Sequence, residues 1–165
     1  MLYLIVAALG VVLDQIVKAF IRAELAIGET MPFLPGILRL THYENSGAAF
    51  SMLSGGWARW LLAALSLGFV IVGCVIVLKK KLPHRFAMWS LAAIISGAAG
   101  NLIDRVWQGT VTDMFQTEFM NFAVFNVADA FVVCGGIALC IYVLMHWKDE
   151  EPSKEKPNES DNDPV

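Results

Sequence analysis

The sequence has few charged residues for its length. Only 16% of its 165 residues are Asp, Glu, Lys or Arg, while 57% are hydrophobic, and the mean hydropathy is +0.61. A typical soluble domain is about a quarter charged and about half apolar. The shortage of charge therefore disfavours an ordinary soluble domain and indicates a membrane protein, with a length that suits one domain.

The sequence also lacks the groups that several functions require. The net charge is −3, so there is no basic face for a nucleic-acid partner. The three cysteines lie in apolar runs without a motif spacing, which predicts small buried apolar residues rather than a disulfide framework or a zinc site. The three histidines are scattered and no serine stands in a G-x-S-x-G motif, so neither a metal centre nor a serine hydrolase is indicated.

Long apolar runs are what the sequence has instead. Each is close to the ~20 residues that a helix needs to cross a bilayer. An N-terminal run is also typical of a signal peptide, but this one has no basic n-region, contains Asp14 and lacks a small-residue cleavage site. We therefore interpret all four as retained transmembrane helices, at about residues 1–20, 57–78, 86–103 and 125–147.

The basic residues predict the orientation of these helices. The link between the second and third runs is KKKLPHR, whereas residues 106–124 contain no lysine or arginine. The positive-inside rule puts this link in the cytoplasm, and both termini with it because the number of spans is even. Loops 21–56 and 106–124 then face outward. The tail, 148–165, has seven acids against three lysines and should be a disordered cytoplasmic segment.

The first outward loop predicts a small cap. Pro32 and Pro35 interrupt regular structure, and residues 37–43 then alternate roughly between apolar and polar, which favours a short strand. The run NSGAAF at 45–50 has small residues that allow close backbone approach. The predicted fold class is an all-α membrane protein, with four transmembrane helices and a small strand-rich extracytoplasmic cap, and residues 1–147 forming one membrane domain.

Polar residues gather at one predicted depth. Asp14 lies about 20 Å along the first helix at ~1.5 Å per residue, which is the outer half of the membrane. Placing carboxylates at the border of a membrane is costly, so their convergence predicts a functional site near the outer leaflet. Six further polar residues border or lie within the outward loop 106–124: Asn101, Asp104, Arg105, Asp113, Asn126 and Asp129.

Helical spacing pairs some of these residues. Asp14 and Lys18 stand at i and i+4, and Asn101 shares a helix face with Asp104 and Arg105. We interpret the first pair as structural, with Lys18 snorkelling outward, and the second group as an ion pair that ends the third span. Both would hold a site together rather than react.

Asp113 and Asp129 differ from these pairs. Neither has a basic residue within four positions, and both have apolar neighbours. Two unpaired carboxylates at one depth repel unless they share a proton, and sharing produces one acid and one base. An aspartic protease needs that arrangement to activate water against an amide. Two independent carboxylates in interfacial water are the alternative, and the spacing alone does not decide between them.

Five blocks, in their order and spacing, resemble the bacterial lipoprotein signal peptidase family, also called signal peptidase II. The likeness extends along nearly the whole chain. The sequence departs from the common family pattern at Met114, Ala123 and Ala130, none of which removes a catalytic group. The matching blocks are DQIVK at 14–18, ENSGAAF at 44–50, GNLIDR at 100–105, VTDMF at 111–115 and FNVADA at 125–130.

The resemblance implies an intramembrane aspartic endopeptidase of the bacterial inner membrane that cuts diacylglyceryl-modified prolipoproteins just before the lipid-carrying cysteine. Its catalytic aspartates fall on Asp113 and Asp129. It further implies contact with membrane lipid, no metal or organic cofactor, and inhibition by the cyclic peptide globomycin; we expect a monomer. Family residues that support the site or bind substrate fall on Asp14, Lys18, Asn45, Asn101, Asp104, Arg105 and Asn126.

Two other classes of protein compete with this interpretation. Acids inside a membrane often mark ion pathways, as in a small proton- or cation-coupled transporter. Transporters commonly show internal repeats and a site near the midplane, whereas this chain has no evident repeat and its acids lie off the midplane. A non-enzymatic assembly factor is the third possibility. Incubating the purified protein with a lipidated precursor would separate all three.

Overall fold

Four long helices make up most of the structure, a computed structural model that describes residues 1–47 and 56–146. All four are long and apolar enough to cross a membrane. The predicted tail, Trp147 and residues 48–50 of the NSGAAF run lie outside the described residues. The helices are α1 (Leu2–Glu24), α2 (Gly56–Leu78), α3 (Arg85–Trp107) and α4 (Val127–His146).

Helix α3 is the centre of the bundle and packs against the other three helices. It is the most buried of the four, while α1, α2 and α4 expose large apolar side chains such as Leu9, Phe69 and Leu144. Such faces suit lipid rather than water as their surroundings. An apolar core lies between α1, α2 and α3, formed by Ala7, Val77, Met88, Leu91, Ala92 and Ile95.

Two glycines bring α3 close to its neighbours. A Cβ on Gly97 would collide with the carbonyl oxygen of Ala128 in α4, and a Cβ on Gly100 would lie 2.5 Å from Asp14 Oδ2 in α1. Small residues commonly permit this close backbone approach between membrane helices. Here the approach brings the polar side chains of three helices within hydrogen-bonding distance.

A three-stranded antiparallel sheet covers one end of the bundle. Its strands are β1 (Thr30–Leu34), β2 (Leu38–Asn45) and β3 (Val111–Thr117), in the order β1-β2-β3. It packs on the end of α1 through a cluster of Ile21, Leu25, Leu40 and Met114. The departure from the family pattern at Met114 therefore places a fully buried apolar side chain between the sheet and α1.

The predicted fold class of four membrane helices and a small strand-rich cap is confirmed. The strand predicted at 37–43 is β2, and Asp113, in the predicted outward loop 106–124, lies in β3, a strand that the sequence analysis did not predict. The third helix continues past residue 103 to Trp107, since hydropathy marks where apolar residues stop rather than where helical hydrogen bonding stops. Arg59 caps that extension, with its Nε 2.7 Å from the Arg105 carbonyl oxygen.

A buried ion cluster joins α1 to α3. Lys18 Nζ lies 2.9 Å from Asp14 Oδ2 and 2.9 Å from Asp104 Oδ2, and all three side chains are fully buried. Gln15 Nε2 donates a hydrogen bond of 3.0 Å to Asp104 Oδ1. The ammonium is thus neutralised inside the protein by two carboxylates, and Gln15 satisfies the remaining oxygen of Asp104.

This cluster corrects two interpretations of the spacing. Lys18 does not snorkel outward, because its face of α1 packs on α3, where the two carboxylates solvate the ammonium. The ion-pair partner of Asp104 is Lys18 rather than Arg105. Consecutive helix residues such as Asp104 and Arg105 point in different directions, so their adjacency in sequence does not pair them.

Replacing Lys18 with methionine should destabilise the fold strongly. Lys18→Met keeps the length of the side chain but leaves Asp14 and Asp104 buried without their cation, and loss of one partner in a buried ion pair costs about 3–5 kcal/mol. Thermal unfolding in detergent measures the effect, with the exposed Lys79→Met as the matched control. A melting temperature equal to that of the control would contradict a stabilising role for the cluster.

Candidate active site

The pairing of β2 with β3 positions the first candidate catalytic group, Asp113. Its carboxyl is 1% exposed and accepts hydrogen bonds from two amides. Asn45 Nδ2, on β2, lies 2.9 Å from Asp113 Oδ2, and Asn126 Nδ2, just before α4, lies 2.6 Å from Asp113 Oδ1. The side chains of Asn45 and Asp113 lie diagonally across the two strands, a distance that long polar side chains can span.

The start of α4 positions the second group, Asp129. Asn126 caps the helix, since its Oδ1 accepts a hydrogen bond of 2.8 Å from the Asp129 backbone N–H. In return, the backbone N–H of Asn126 donates to Asp129 Oδ2 at 3.1 Å. This reciprocal arrangement is a capping box, and it fixes the Asp129 carboxyl at the positive end of the helix dipole.

Two asparagines connect the two carboxyls. Asn126 Nδ2 lies 3.1 Å from Asn101 Oδ1 in addition to its bond with Asp113, and Asn101 Nδ2 donates to Asp129 Oδ1 at 2.8 Å. Asn126 therefore bonds to both aspartates directly, one through its side chain and the other through its backbone. The two carboxyls, which are 16 positions apart in sequence, belong to one hydrogen-bonded network.

The ion cluster of Lys18, Asp14 and Asp104 contacts this hydrogen-bonded network and the elements that carry it. Lys18 Nζ donates to Asn101 Oδ1 at 2.9 Å, Asp14 Oδ1 accepts from the Ala128 backbone N–H at 2.9 Å, and Asp104 Oδ2 accepts from the Thr112 backbone N–H at 3.2 Å. Each member of the cluster thus holds a different part of the site. The structure brings all of the predicted site residues into this region, Arg105 included, which lines the same cavity as Asp129.

Burial changes the acidity of Asp113. It raises the pKa of this carboxyl from 3.8 to about 6, although the hydrogen bonds from Asn45 and Asn126 act in the opposite direction. Repulsion from the negative charge of Asp129 acts in the same direction as burial. A carboxyl that holds its proton up to about pH 6 beside a second carboxyl is suited to acid–base chemistry.

An apolar cavity of about 740 Å³ leads to Asp129. It lies between α2, α3, α4 and the segment before α4, with Phe69, Ile94 and Phe122 among its lining residues. Its charged lining residues are Arg105 and Asp129. The cavity therefore suits an apolar occupant with a polar group at the aspartate end. Within residues 1–47 and 56–146, no three His, Cys, Asp or Glu side chains are grouped so that they could hold a metal ion.

Sequence reasoning missed several residues that surround the site. Gln15, Thr112 and Glu44 each make hydrogen bonds to partners more than 60 positions away, which spacing along the chain does not reveal. Gln15 gave one signal, as a polar residue within the first apolar run. The N-x-x-D spacing of Asn126 and Asp129 was a second usable signal, because it is typical of a capped helix start.

Comparisons with known proteins agree along most of the chain. Residues 6–145 match the family described as signal peptidase (SPase) II. A lipoprotein signal peptidase of Enterococcus faecalis is 41% identical over 159 residues, which cover 94% of each chain. A lipoprotein signal peptidase of Lactococcus lactis subsp. lactis is 42% identical over 144 residues, which cover 87% of this chain and 94% of the relative.

Solved structures show the same fold. One bacterial membrane enzyme superposes with a TM-score of 0.81 at 28% identity, covering 93% of this chain and 94% of the other. A second superposes with a TM-score of 0.78 at 29% identity, covering 86% of this chain and 92% of the other. The matching family profile, the relatives at about 40% identity and the shared fold lead to one conclusion: this chain belongs to the signal peptidase II family.

Proposed function

We propose that this protein is an intramembrane aspartic endopeptidase that removes signal peptides from prolipoproteins, with Asp113 and Asp129 as its catalytic residues. Its membership of the lipoprotein signal peptidase family supports the reaction class and the prolipoprotein substrate. The observation that carries the assignment of residues is that Asn126 hydrogen-bonds to both carboxyls at the polar end of an apolar cavity.

The two carboxyls have different roles in the proposed reaction. Asp129, whose carboxyl accepts a hydrogen bond from the Asn126 backbone N–H at the start of α4, acts as the base. It takes a proton from water, whose oxygen attacks the scissile carbonyl carbon. Asp113 holds the shared proton and donates it to the carbonyl oxygen, giving a tetrahedral gem-diol. Asp129 then passes its proton to the amide nitrogen while Asp113 takes one from a hydroxyl of the gem-diol, so that the C–N bond breaks and a carboxylic acid and an amine are released.

The cavity suits the substrate of such a peptidase. Its apolar wall between α2 and α4 would receive the apolar residues of a signal peptide, and the peptide bond would lie at the end where Arg105 and Asp129 are found. In the proposed substrate the cysteine after the cut carries diacylglycerol. Its acyl chains add binding energy of about 0.8 kcal/mol for each CH₂ group that is buried.

The proposed orientation places the site where that substrate lies. Four basic residues in KKKLPHR, which links α2 and α3, favour a cytoplasmic position for this link and for both termini. The sheet and both catalytic aspartates then lie near the outer leaflet of a bacterial inner membrane. We further expect that a monomer is active, since one chain supplies all the named site residues. We also expect globomycin to inhibit it, as the resemblance to signal peptidase II implies. The transporter hypothesis finds no support in the comparisons.

Amide variants of the two aspartates should abolish cleavage. Asp113→Asn and Asp129→Asn keep the side-chain shape but remove one member of the acid–base pair, which contributes about 10²–10⁴-fold to rate. Each variant should process a purified diacylglyceryl-modified precursor at least about 100-fold more slowly than wild type. Glu24→Gln, an exposed carboxyl-to-amide change on α1, is the control and should process normally. Near-normal turnover by either aspartate variant would contradict the assignment of Asp113 and Asp129 as the catalytic pair.

The raised pKa of Asp113 predicts a pH-dependent stability. The folded protein holds this proton more tightly than the unfolded chain, so the resulting stabilisation is full below pH 4 and is lost as pH rises to about 6. The change is on the order of 3 kcal/mol. Asp113→Asn lacks it, so between pH 4 and pH 7 the variant should gain stability relative to wild type in detergent melts. Parallel melting curves for the two proteins would contradict the raised pKa.

Thiol labelling tests the orientation. Single cysteines at Tyr43 and Phe119, both exposed at the sheet end, should react with a membrane-impermeant maleimide on intact spheroplasts. A cysteine at the exposed His84 should react only after the membrane is opened. The background lacks Cys74, Cys134 and Cys140, and retained processing shows that its fold is native. Labelling of position 84 alone would place the aspartates in the cytoplasm and contradict the proposed substrate access.

A further inference from the structure

The register of β2 on β3 changes close to the proposed catalytic site. Leu40 pairs with Phe115, and Tyr43 pairs with Asp113, so this stretch of β2 has one residue more than the facing stretch of β3. Such a bulge interrupts the ladder, and a slip of one residue would turn every later side chain to the opposite face. The pairing beyond the bulge therefore needs contacts of its own to direct Asn45 towards Asp113.

Glu44 supplies such contacts on the face of the strands opposite Asn45. Its carboxylate accepts hydrogen bonds from the Thr110 hydroxyl at 2.5 Å, the Thr112 hydroxyl at 3.0 Å and His42 Nε2 at 2.9 Å. Glu44 and Thr112 are direct cross-strand partners, and each is followed by a residue of the site, Asn45 and Asp113 respectively. One face of the strand pair thus carries the hydrogen-bonded cluster of Glu44 with His42, Thr110 and Thr112, which we call the clamp. The other face carries the proposed catalytic carboxyl of Asp113.

The clamp is charged and largely buried. His42, in the bulge, is 6% exposed, and its Nδ1 lies 2.8 Å from the Leu25 carbonyl oxygen while its Nε2 faces Glu44. Both ring nitrogens of His42 thus face acceptor oxygens, one on a backbone carbonyl and one on the Glu44 carboxylate. Although burial acts to raise the pKa of Glu44, hydrogen bonds from Thr110, His42 and Thr112 together lower it, so the clamp holds an ionised carboxylate.

Thr112 connects the clamp to the helices. Its hydroxyl accepts a hydrogen bond of 2.9 Å from Arg22 Nη1 of α1 while donating to Glu44, and its backbone N–H donates to Asp104 of α3. Thr112 is fully buried, and these three bonds engage both its hydroxyl and its backbone N–H. The residue immediately before Asp113 is therefore fixed against α1, α3 and β2 at once.

We propose that Glu44 is a positioning residue for the Asp113 carboxyl: together with His42 and Thr112 it fixes the register of β2 on β3 beyond the bulge and so holds Asn45 Nδ2 on Asp113. The inference rests on the proposed function, since it gives Glu44 a role through a catalytic Asp113. Glu44 itself touches no reacting atom. Its loss should displace Asn45 and Asp113 without removing either group.

Two substitutions weaken the clamp while preserving its shape. Glu44→Gln removes the charge and one acceptor, and Thr112→Val removes the hydroxyl that bridges Arg22 and Glu44. Because misplacing a catalytic group by about 1 Å can cost about 10²-fold in rate, each should lower kcat by about 10- to 100-fold, with KM within about twofold of wild type. Thr112→Ser keeps the hydroxyl and should restore kcat. Thr117→Val, at the other end of β3, removes a hydroxyl that bonds to the Met120 carbonyl and should leave kcat unchanged.

A second measurement separates positioning from simple destabilisation. Infrared titration follows the C=O band of the protonated Asp113 carboxyl, which is identified by its absence in Asp113→Asn. Since the bond from Asn45 lowers the pKa of Asp113, its loss in Glu44→Gln and Thr112→Val should move the titration to higher pH by about 0.5 or more. The serine and Thr117→Val variants should titrate as wild type does.

The outcomes distinguish the two proposals. Lower kcat together with a shifted titration in Glu44→Gln and Thr112→Val, and neither in the serine variant, supports the positioning role. Lower melting temperatures with wild-type kcat and an unshifted titration would overturn it and leave Glu44 as a structural residue, while the catalytic role of Asp113 stood. Normal processing by Asp113→Asn would overturn the proposed function and this inference with it.

Discussion

The buried ammonium of Lys18 is the interaction on which the rest of the site depends. A charge between helices that face hydrocarbon cannot be solvated by water, so the protein must supply its counter-charges, and Asp14 and Asp104 do so. Each carboxylate also accepts a hydrogen bond from a backbone N–H of another element. Asp14 binds the first turn of α4, and Asp104 binds the start of β3. Through one cation, the two elements that carry the candidate catalytic groups are fixed to α1 and α3.

The aspartates divide into two kinds according to what surrounds them. Asp14 and Asp104 both contact the Lys18 ammonium and have a structural role. Asp113 and Asp129 have amide donors instead, chiefly from Asn101 and Asn126. An amide orients a carboxyl without neutralising its charge, which suits the acid–base role proposed for these two residues. Burial then raises the proton affinity of Asp113 into the range that acid–base chemistry requires. Neutral amides thus orient the two candidate catalytic carboxyls, while the charged cluster around Lys18 holds the surrounding elements in place.

Sequence predicts the features of this protein that depend on local spacing and fails for those that depend on distant pairing. Apolar runs located the four helices, and alternation located β2, because both patterns repeat over a few residues. Strand β3 was missed because its pairing with β2 joins residues 66 to 79 positions apart. For the same reason Lys18 was paired with Asp14 alone, although its second carboxylate lies on α3. The set of polar site residues could be chosen from the sequence; the bonds among them, and the roles of Gln15, Thr112 and Glu44, required the fold.

Gly100 has a consequence that its lack of a side chain conceals. A methyl group on its Cα would press on the Asp14 oxygen that binds Lys18. A shift of this carboxylate would disturb its bonds to Lys18 and to the Ala128 backbone N–H, in the first turn of the helix that carries Asp129. The arrangement of the site therefore requires a hydrogen atom, rather than a carbon, at this position of Gly100. Tolerance to substitution near the site therefore does not depend on charge alone. Gly100 should tolerate a larger side chain as poorly as the charged residues around it tolerate replacement.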